Sequence, residues 1–570
     1  MAKLPASPVV AREGRTGLRL AVVALVLILA LGSALRLSQV PAKVLSGDEI
    51  YSALRISGSS LARVKRELAD GRVHPVQAWQ AQLRHRPGSR AMDTTLALAQ
   101  EAPEHPPLYY LAARAWQRQF AADPTDLRLL SALFGIALIP AIALLAWELW
   151  QSTAAVLISA ALVSVCPLDL LYAQELREYS LWATLTALVA WLLLRAFRTD
   201  RRSDWMLYGT GLTALLYTQV LSLGLVAAYS LLPLLPPWRQ SRRALLLTHA
   251  GALIAFSPWI GVAMQGQMLQ SGHNIWTASS LPLPLLSWNW GLNLTRLWLD
   301  LDPGGRLISG DEPLQVGLRA LAVVGAVLGT GLAWNWLLRQ PDRRPAGLLL
   351  ALLLGSVLPL IVADLLLGGS RSSVARYPQP GYLAVQLAVA GALAHLWLQR
   401  RQLALLLAAL LLLLGLRSSL EVLATPTWWS KLGNIDQAQI ATAVNQWPRP
   451  LLISEGYLPR LLALSTQLRQ DADLQILPAG ALTSATLSLN RPLLLYRPSQ
   501  AWLGRLPTRP GGFGATPALR QLVRTPSRYP YLPDVDAHTR LWLIQLATND
   551  GPDAQPLERV PGHGGDQDRR

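Results

Sequence analysis

The chain has 570 residues, of which 52% are hydrophobic and 15% charged, with a mean hydropathy of +0.29. So few charges exclude a soluble globular protein of this size, and apolar runs of about 18 residues or more recur, the length a bilayer core demands of a helix. The formal net charge of +17 does not point to nucleic acid, because Arg and Lys gather between apolar runs instead of along one soluble face. A single cysteine, Cys166, excludes a disulfide framework and a Cys-based metal site within the chain.

At the N-terminus Lys3, Arg12, Arg15 and Arg19 precede an apolar segment from about Leu18 to Leu35. It is too long for a usual signal-peptide core and is followed by Arg36 and Leu37, not by a small-residue cleavage site, so it reads as an uncleaved first span with a cytoplasmic N-terminus. Residues 38–104 then form a polar, Arg-rich loop with helical pieces around 50–70 and 75–85. Its first part, SGDEIYSALRISG (46–58), places two adjacent carboxylates, Asp48 and Glu49, where that span emerges into water. In EHPPLYYLAARAWQRQF (104–120), Pro106 and Pro107 suit a helix start. Leu108, Leu111, Ala112 and Ala115 fall opposite Arg114, Gln117 and Arg118, the pattern of an amphipathic helix lying in the interface.

Further spans are expected near 127–148, 153–172, 179–197, 205–218, 220–236, 244–262, 314–338, 347–367, 380–398 and 402–418, about eleven with the first. The clusters Arg195/Arg198/Arg201/Arg202, Arg239/Arg242/Arg243, Arg339/Arg343/Arg344 and Arg400/Arg401 then share the cytoplasmic side with the N-terminus. The link 263–313, the loop 368–382 and the C-terminal part fall outside. Residues 425–555 read as a small soluble α/β domain, with strands at 450–457, 474–478, 492–499 and 541–546 and a helix over 458–470. From Pro556 the composition is that of a disordered tail.

Four places could carry chemistry. A carboxylate such as Asp48, held against a membrane surface and partly desolvated, can accept a proton from an acceptor hydroxyl, although acidic residues also commonly follow a helix exit. In LDLLYAQELREYSLW (168–182), Glu175, Arg177 and Glu178 sit between apolar runs, flanked by Tyr172 and Tyr179. Either this is a polar hairpin with an aromatic belt or Arg177 binds a lipid phosphate through its forked donors. Arg371, Arg376 and Tyr377 lie in an outer loop, against the positive-inside tendency, as a solvated loop or an anion site. His105 opens the 104–120 segment, a position more often structural than catalytic. No Gly-rich phosphate loop follows a strand, and no HExxH motif is present.

The acidic pair Asp48-Glu49, the HPPLYYL segment (105–111), the YAQELREYS segment (172–180) and the late RYPQPGY stretch (376–382) resemble the GT-C superfamily of integral-membrane glycosyltransferases. The resemblance is to the family 39-like group of protein O-mannosyltransferases and aminoarabinose transferases, and it covers roughly residues 17–420. It implies transfer of a sugar from a polyprenyl-phosphate carrier to an extracytoplasmic acceptor with inversion at the anomeric carbon. It implies Asp48 as general base, and Glu49 orienting the acceptor or supporting the loop. Substrate contacts would come from His105, Tyr109, Arg177, Glu178, Tyr179, Arg371, Arg376 and Tyr377. Some members of the superfamily use a divalent metal and others none, and no complete ligand set is visible here. Leu176 departs from the small residue usual before the Arg, and Asp169 is also unexpected. A lipid-linked sugar or polysaccharide flippase or transporter would carry ionisable residues in mid-span and internal repeats, and neither is evident. A non-catalytic membrane scaffold is the remaining alternative.

Overall fold

A computed structural model describes residues 15–120, 123–269, 275–302, 313–434, 436–477, 491–499, 518–523 and 541–545. Helix α1 (Arg15–Leu37) leads into a loop that holds α2 (Gly47–Ser57), α3 (Leu61–Leu68), α4 (Val76–Ala81), α5 (Ala91–Glu101) and α6 (Leu108–Phe120). The bundle continues with α7 (Arg128–Trp150), α8 (Thr153–Ser164), α9 (Pro167–Ala173), α10 (Tyr179–Thr199), α11 (Arg202–Leu216), α12 (Ser222–Ser230) and α13 (Arg242–Leu269). Two short helices, α14 (Ile275–Ala278) and α15 (Leu283–Thr295), precede α16 (Pro313–Leu338), α17 (Arg344–Leu367), α18 (Gln379–Gln399) and α19 (Arg401–Ala424). Helices α20 (Gln437–Asn445) and α21 (Leu458–Ser465) accompany the C-terminal strands.

Among the described residues, eight helices are long and apolar enough to cross a membrane, and α8 with α9 makes a ninth if the pair is one span bent by 59°. The expected spans near 205–218 and 220–236 are instead short helices of 15 and 9 residues, below the length a bilayer core needs. They form a hairpin whose tip reaches the site end of the bundle, where the Leu108 amide donates to the Tyr217 carbonyl at 3.0 Å. The bend between α8 and α9 has an identifiable cause. Pro167 starts α9 without an amide hydrogen to offer, and the wholly buried Arg36 donates to the Val163 and Ser164 carbonyls at 2.9 and 3.0 Å. Helix α1 is thus locked to the break by its last turn. Helices α10 and α18 are each 67% buried over their spanning windows and α16 only 6%, so α10 and α18 lie inside the bundle and α16 faces outward.

Helix α6 is packed the other way round from the expected amphipathic reading. Arg114 and Gln117, on the face taken as polar, are buried, and Ala115 is exposed. Arg114 donates to the Ile56 and Ser89 carbonyls at 3.0 and 2.8 Å, and Gln117 to the Leu83 carbonyl at 3.1 Å. Loop carbonyls without a ladder partner need donors, and this face supplies them. Helix α5 was not expected at all.

The C-terminal strands form one sheet in the order β1-β3-β2-β4-β6-β5. Strands β2 (Leu451–Ser454), β4 (Leu493–Tyr496) and β6 (Leu541–Gln545) fall within expected segments, β3 (Asp473–Ile476) begins one residue before its own, and β5 (Ala518–Val523) pairs with β6. The sheet is not self-contained. Its edge strand β1 (Val73–Pro75) comes from the first loop and runs antiparallel to β3, with Val73 opposite Gln475. Asn434 adds a bond to the Leu45 carbonyl at 2.6 Å, so the C-terminal part is tied directly to the segment that carries Asp48. The tail from Pro556 lies outside the described residues.

Candidate active site

Helix α2 begins with a capping box. The Glu49 amide donates to Ser46 Oγ at 3.3 Å, and the Ser46 amide donates to Glu49 Oε2 at 2.8 Å. Gly58, at φ 80°, ends the helix in the left-handed conformation that glycine adopts without a Cβ penalty. Asp48 and Glu49 therefore occupy the first turn, about 100° apart around the axis, and point in different directions. Glu49 turns inward and is wholly buried. Arg128, the first residue of α7, donates to its two oxygens at 2.7 and 2.8 Å, and the Leu176 amide donates to Oε1 at 2.9 Å. With the Ser46 amide this makes four donors, which fills the acceptor sites of a carboxylate. Burial pushes the Glu49 carboxyl up, but the Arg128 charge and these bonds outweigh it and hold it below the usual range.

The bond from Leu176 sets the geometry of the site. Asp48 precedes Glu49 and Arg177 follows Leu176, so one buried carboxylate brings the two together. Arg177 Nη1 lies 3.5 Å from the Asp48 carbonyl, and Nη2 donates to His105 Nε2 at 2.9 Å. Because guanidinium can only donate, His105 accepts at Nε2, and its Nδ1–H faces Glu178 Oε1 at 2.9 Å. Glu178, wholly buried, also accepts from Tyr110 at 3.2 Å and Gln219 at 3.3 Å. The Arg177 guanidinium lies 5.6 Å from the Tyr179 ring centre.

The outward side chain of Asp48 is 36% exposed and meets two cations on one oxygen. Lys431 Nζ is 2.6 Å from Oδ2 and Arg376 Nη1 is 3.2 Å from it. Lys431 also pairs with the buried Glu175 at 2.5 Å. Arg376 lies over Tyr179 and Tyr377, 5.8 and 5.6 Å from their ring centres. Desolvation pushes the Asp48 carboxyl up, yet Lys431, Arg376 and Arg177 together hold it well below the usual carboxylate range. Asp48 is therefore ionised at neutral pH and neutralised by the groups around it.

The structure gathers Asp48, His105, Arg177, Tyr179, Arg376 and Tyr377 at one end of the bundle. The other expected residues are placed away from the exposed Asp48 carboxylate. Both Glu49 oxygens are taken up by four donors, an arrangement in keeping with the second of the two expected roles, support of the loop. Glu178 is sealed from solvent and acts on Arg177 and His105. Tyr109 is wholly buried with its hydroxyl 2.7 Å from Ser131 Oγ, while its neighbour Tyr110 reaches Glu178. Arg371 stands apart, paired with Asp364 at 3.3 Å and bonded to the Gly368 carbonyl. Sequence reasoning missed Lys431 and Arg128. Both are basic residues at the site end of the bundle, and the charge argument that singled out Arg376 applies equally to them. Among the described residues there is no group of three or more His, Cys, Asp or Glu side chains that could hold a metal ion.

Residues 104–261, which include His105, Arg177 and Glu178, match the family of dolichyl-phosphate-mannose-protein mannosyltransferases. Two solved structures of ArnT from Cupriavidus metallidurans are similar to the chain. The one bound to undecaprenyl phosphate is 12% identical, with 93% of this chain and 98% of that one covered and a TM-score of 0.49. The apo form is 14% identical, with 92% and 97% covered and a TM-score of 0.40. No curated protein sequence matches the chain. The part of the chain that matches this family, residues 104–261, lies in a bundle of which, among the described residues, eight helices are long and apolar enough to cross a membrane.

Proposed function

We propose that the protein moves a sugar from a polyprenyl-phosphate carrier to an extracytoplasmic hydroxyl acceptor, with Asp48 as general base. The observation that carries this reading is a half-exposed carboxylate ringed by Lys431, Arg376 and Arg177 at the end of a membrane bundle. The acceptor oxygen attacks the anomeric carbon from the face opposite the phosphate, and its proton passes to Asp48. The carbon–oxygen bond to phosphate breaks with its electron pair left on the phosphate, already a stable anion, so no general acid is needed. Arg177 and Arg376 hold the phosphate, as fixed forks of donors suited to its oxygens. His105 and Glu178 position Arg177, and Tyr179 lies beside both guanidinium groups.

A pH profile tests the base. Lys431→Met removes a cation beside Asp48, so the Asp48 pKa rises, and the acid limb of kcat/KM is expected to move to higher pH than in the wild type. An unmoved acid limb would remove Asp48 from the role.

The donor and acceptor reach the site from outside the cytoplasm. Helix α10 begins at the site with Tyr179 and carries Arg198 in its last turn, and α18 likewise runs from Gln379 toward Arg400 and Arg401, which supports the site end as the outer one. The lone cysteine, Cys166, is buried, so introduced cysteines are expected to report against a low background. Arg84→Cys is expected to react with an impermeant maleimide on intact cells, and Arg201→Cys only after permeabilisation. The reverse pattern would invert the topology.

A further inference from the structure

We propose that Lys431 and Arg376 are passed from Asp48 to the leaving phosphate during transfer, so that the free carrier phosphate binds together with a proton on Asp48. This rests on the donor reading above and adds the coupling to it.

At rest both cations sit on a single oxygen of Asp48, at 2.6 and 3.2 Å. A carboxylate so held is a weak base, because accepting a proton means giving up two favourable ion pairs. The cations must therefore find another anion as the proton arrives. The departing phosphate gains one negative charge at that moment, when the sugar–oxygen bond breaks. Charge is conserved within the site: Asp48 becomes neutral as the phosphate goes from monoanion to dianion.

Two features let the cations move without being stranded. Lys431 keeps the buried Glu175 at 2.5 Å, and Arg376 keeps the rings of Tyr179 and Tyr377. The charge balance also requires a release. Arg177, Arg376 and Lys431 face Asp48, Glu175 and Glu178, three cations against three carboxylates. A phosphate dianion entering that balanced set leaves excess negative charge, and protonating Asp48 removes part of it. Besides His105 on Arg177 and the Tyr179 and Tyr377 rings beside the guanidinium groups, the titratable groups near Asp48 include Tyr51, one turn along α2, and Tyr457 beyond it. Burial and its phenolic and carboxylate neighbours push the Tyr51 hydroxyl up to about 12, so it does not supply this proton near neutral pH.

The test uses the full chain in detergent micelles with farnesyl phosphate as probe. Binding is read by the change in intrinsic tryptophan fluorescence, to which Trp428 and Trp429, three and two residues before Lys431, contribute, and proton uptake by calorimetry in buffers of different ionisation enthalpy. The second phosphate pKa, about 6, contributes its own protons, so Asp48→Asn serves as the reference. Asp48→Asn removes a competing anion, and at pH 8 it is expected to bind farnesyl phosphate about tenfold tighter or more than the wild type. It is also expected to lose the wild type's additional proton uptake. Equal affinities and equal proton counts would overturn the exchange while leaving the donor reading standing. Absence of binding to both proteins would overturn the donor reading itself. Lys431→Met is expected to weaken binding in either background, with Lys431→Arg restoring it.

Discussion

Replacing Asp48 by Asn is expected to lower turnover about 10²–10⁴-fold, the range attributed to a positioned general base. Asn matches Asp in size and keeps the capping geometry of α2, which depends on Ser46 and Glu49 and not on Asp48. The variant should therefore accumulate in the membrane at the wild-type level and melt at a similar temperature. The loss should appear in kcat for sugar transfer and not in the amount of folded protein. Retained turnover in Asp48→Asn would move the proton-accepting role elsewhere. Tighter binding of the carrier phosphate alongside slower turnover would tie the two effects to one carboxylate, since the cations that stabilise the ionised base also stabilise the leaving group.

The second large effect is expected away from the reacting atoms. Arg128→Met leaves Glu49 as a buried carboxylate without its countercharge, and breaking a buried ion pair from one side costs about 3–5 kcal/mol. Arg128 also donates to the Lys43 and Val44 carbonyls at 2.8 and 3.1 Å, so the link between α1 and α2 loses its anchor as well. Thermal unfolding in detergent should show a large drop for Arg128→Met. The double change Glu49→Met with Arg128→Met should recover part of it, because removing both charges leaves none stranded. Activity should stay low in the double variant, because the Leu176 amide then lacks the acceptor that sets Arg177 beside Asp48. A double variant as active as the wild type would show that Glu49 does not position the site.

How much of this is legible in the sequence follows from how far apart the interacting residues lie. The spans are legible because each is a local apolar run, and so are strands β2, β3, β4 and β6, bounded by Pro and polar turns. Strand β1 is three residues long and owes its existence to β3, some 400 positions away, so no local pattern announces it. The short helices α11 and α12 look like spans in composition, and only their lengths show the hairpin. The acidic pair is visible as a dipeptide, but its division of labour depends on which carboxylate faces Arg128, a contact spanning 79 positions. Lys431 shows the same limit more sharply, reaching Asp48 across 383 positions from the start of the segment read as a separate soluble domain. The polar face of α6 misled because amphipathicity reports two chemically different faces and not which one packs. Here the loop's unpaired carbonyls claimed the polar one.

The most direct measurement follows one lipid species. Purified protein in proteoliposomes is given a polyprenyl-phosphate-linked sugar together with an envelope extract as acceptor, and the lipid is followed by mass spectrometry. Wild type is expected to convert the lipid-linked sugar to free polyprenyl phosphate, while Asp48→Asn leaves it intact. Movement of the unbroken sugar lipid across the bilayer, or equal conversion by both proteins, would contradict glycosyl transfer at Asp48.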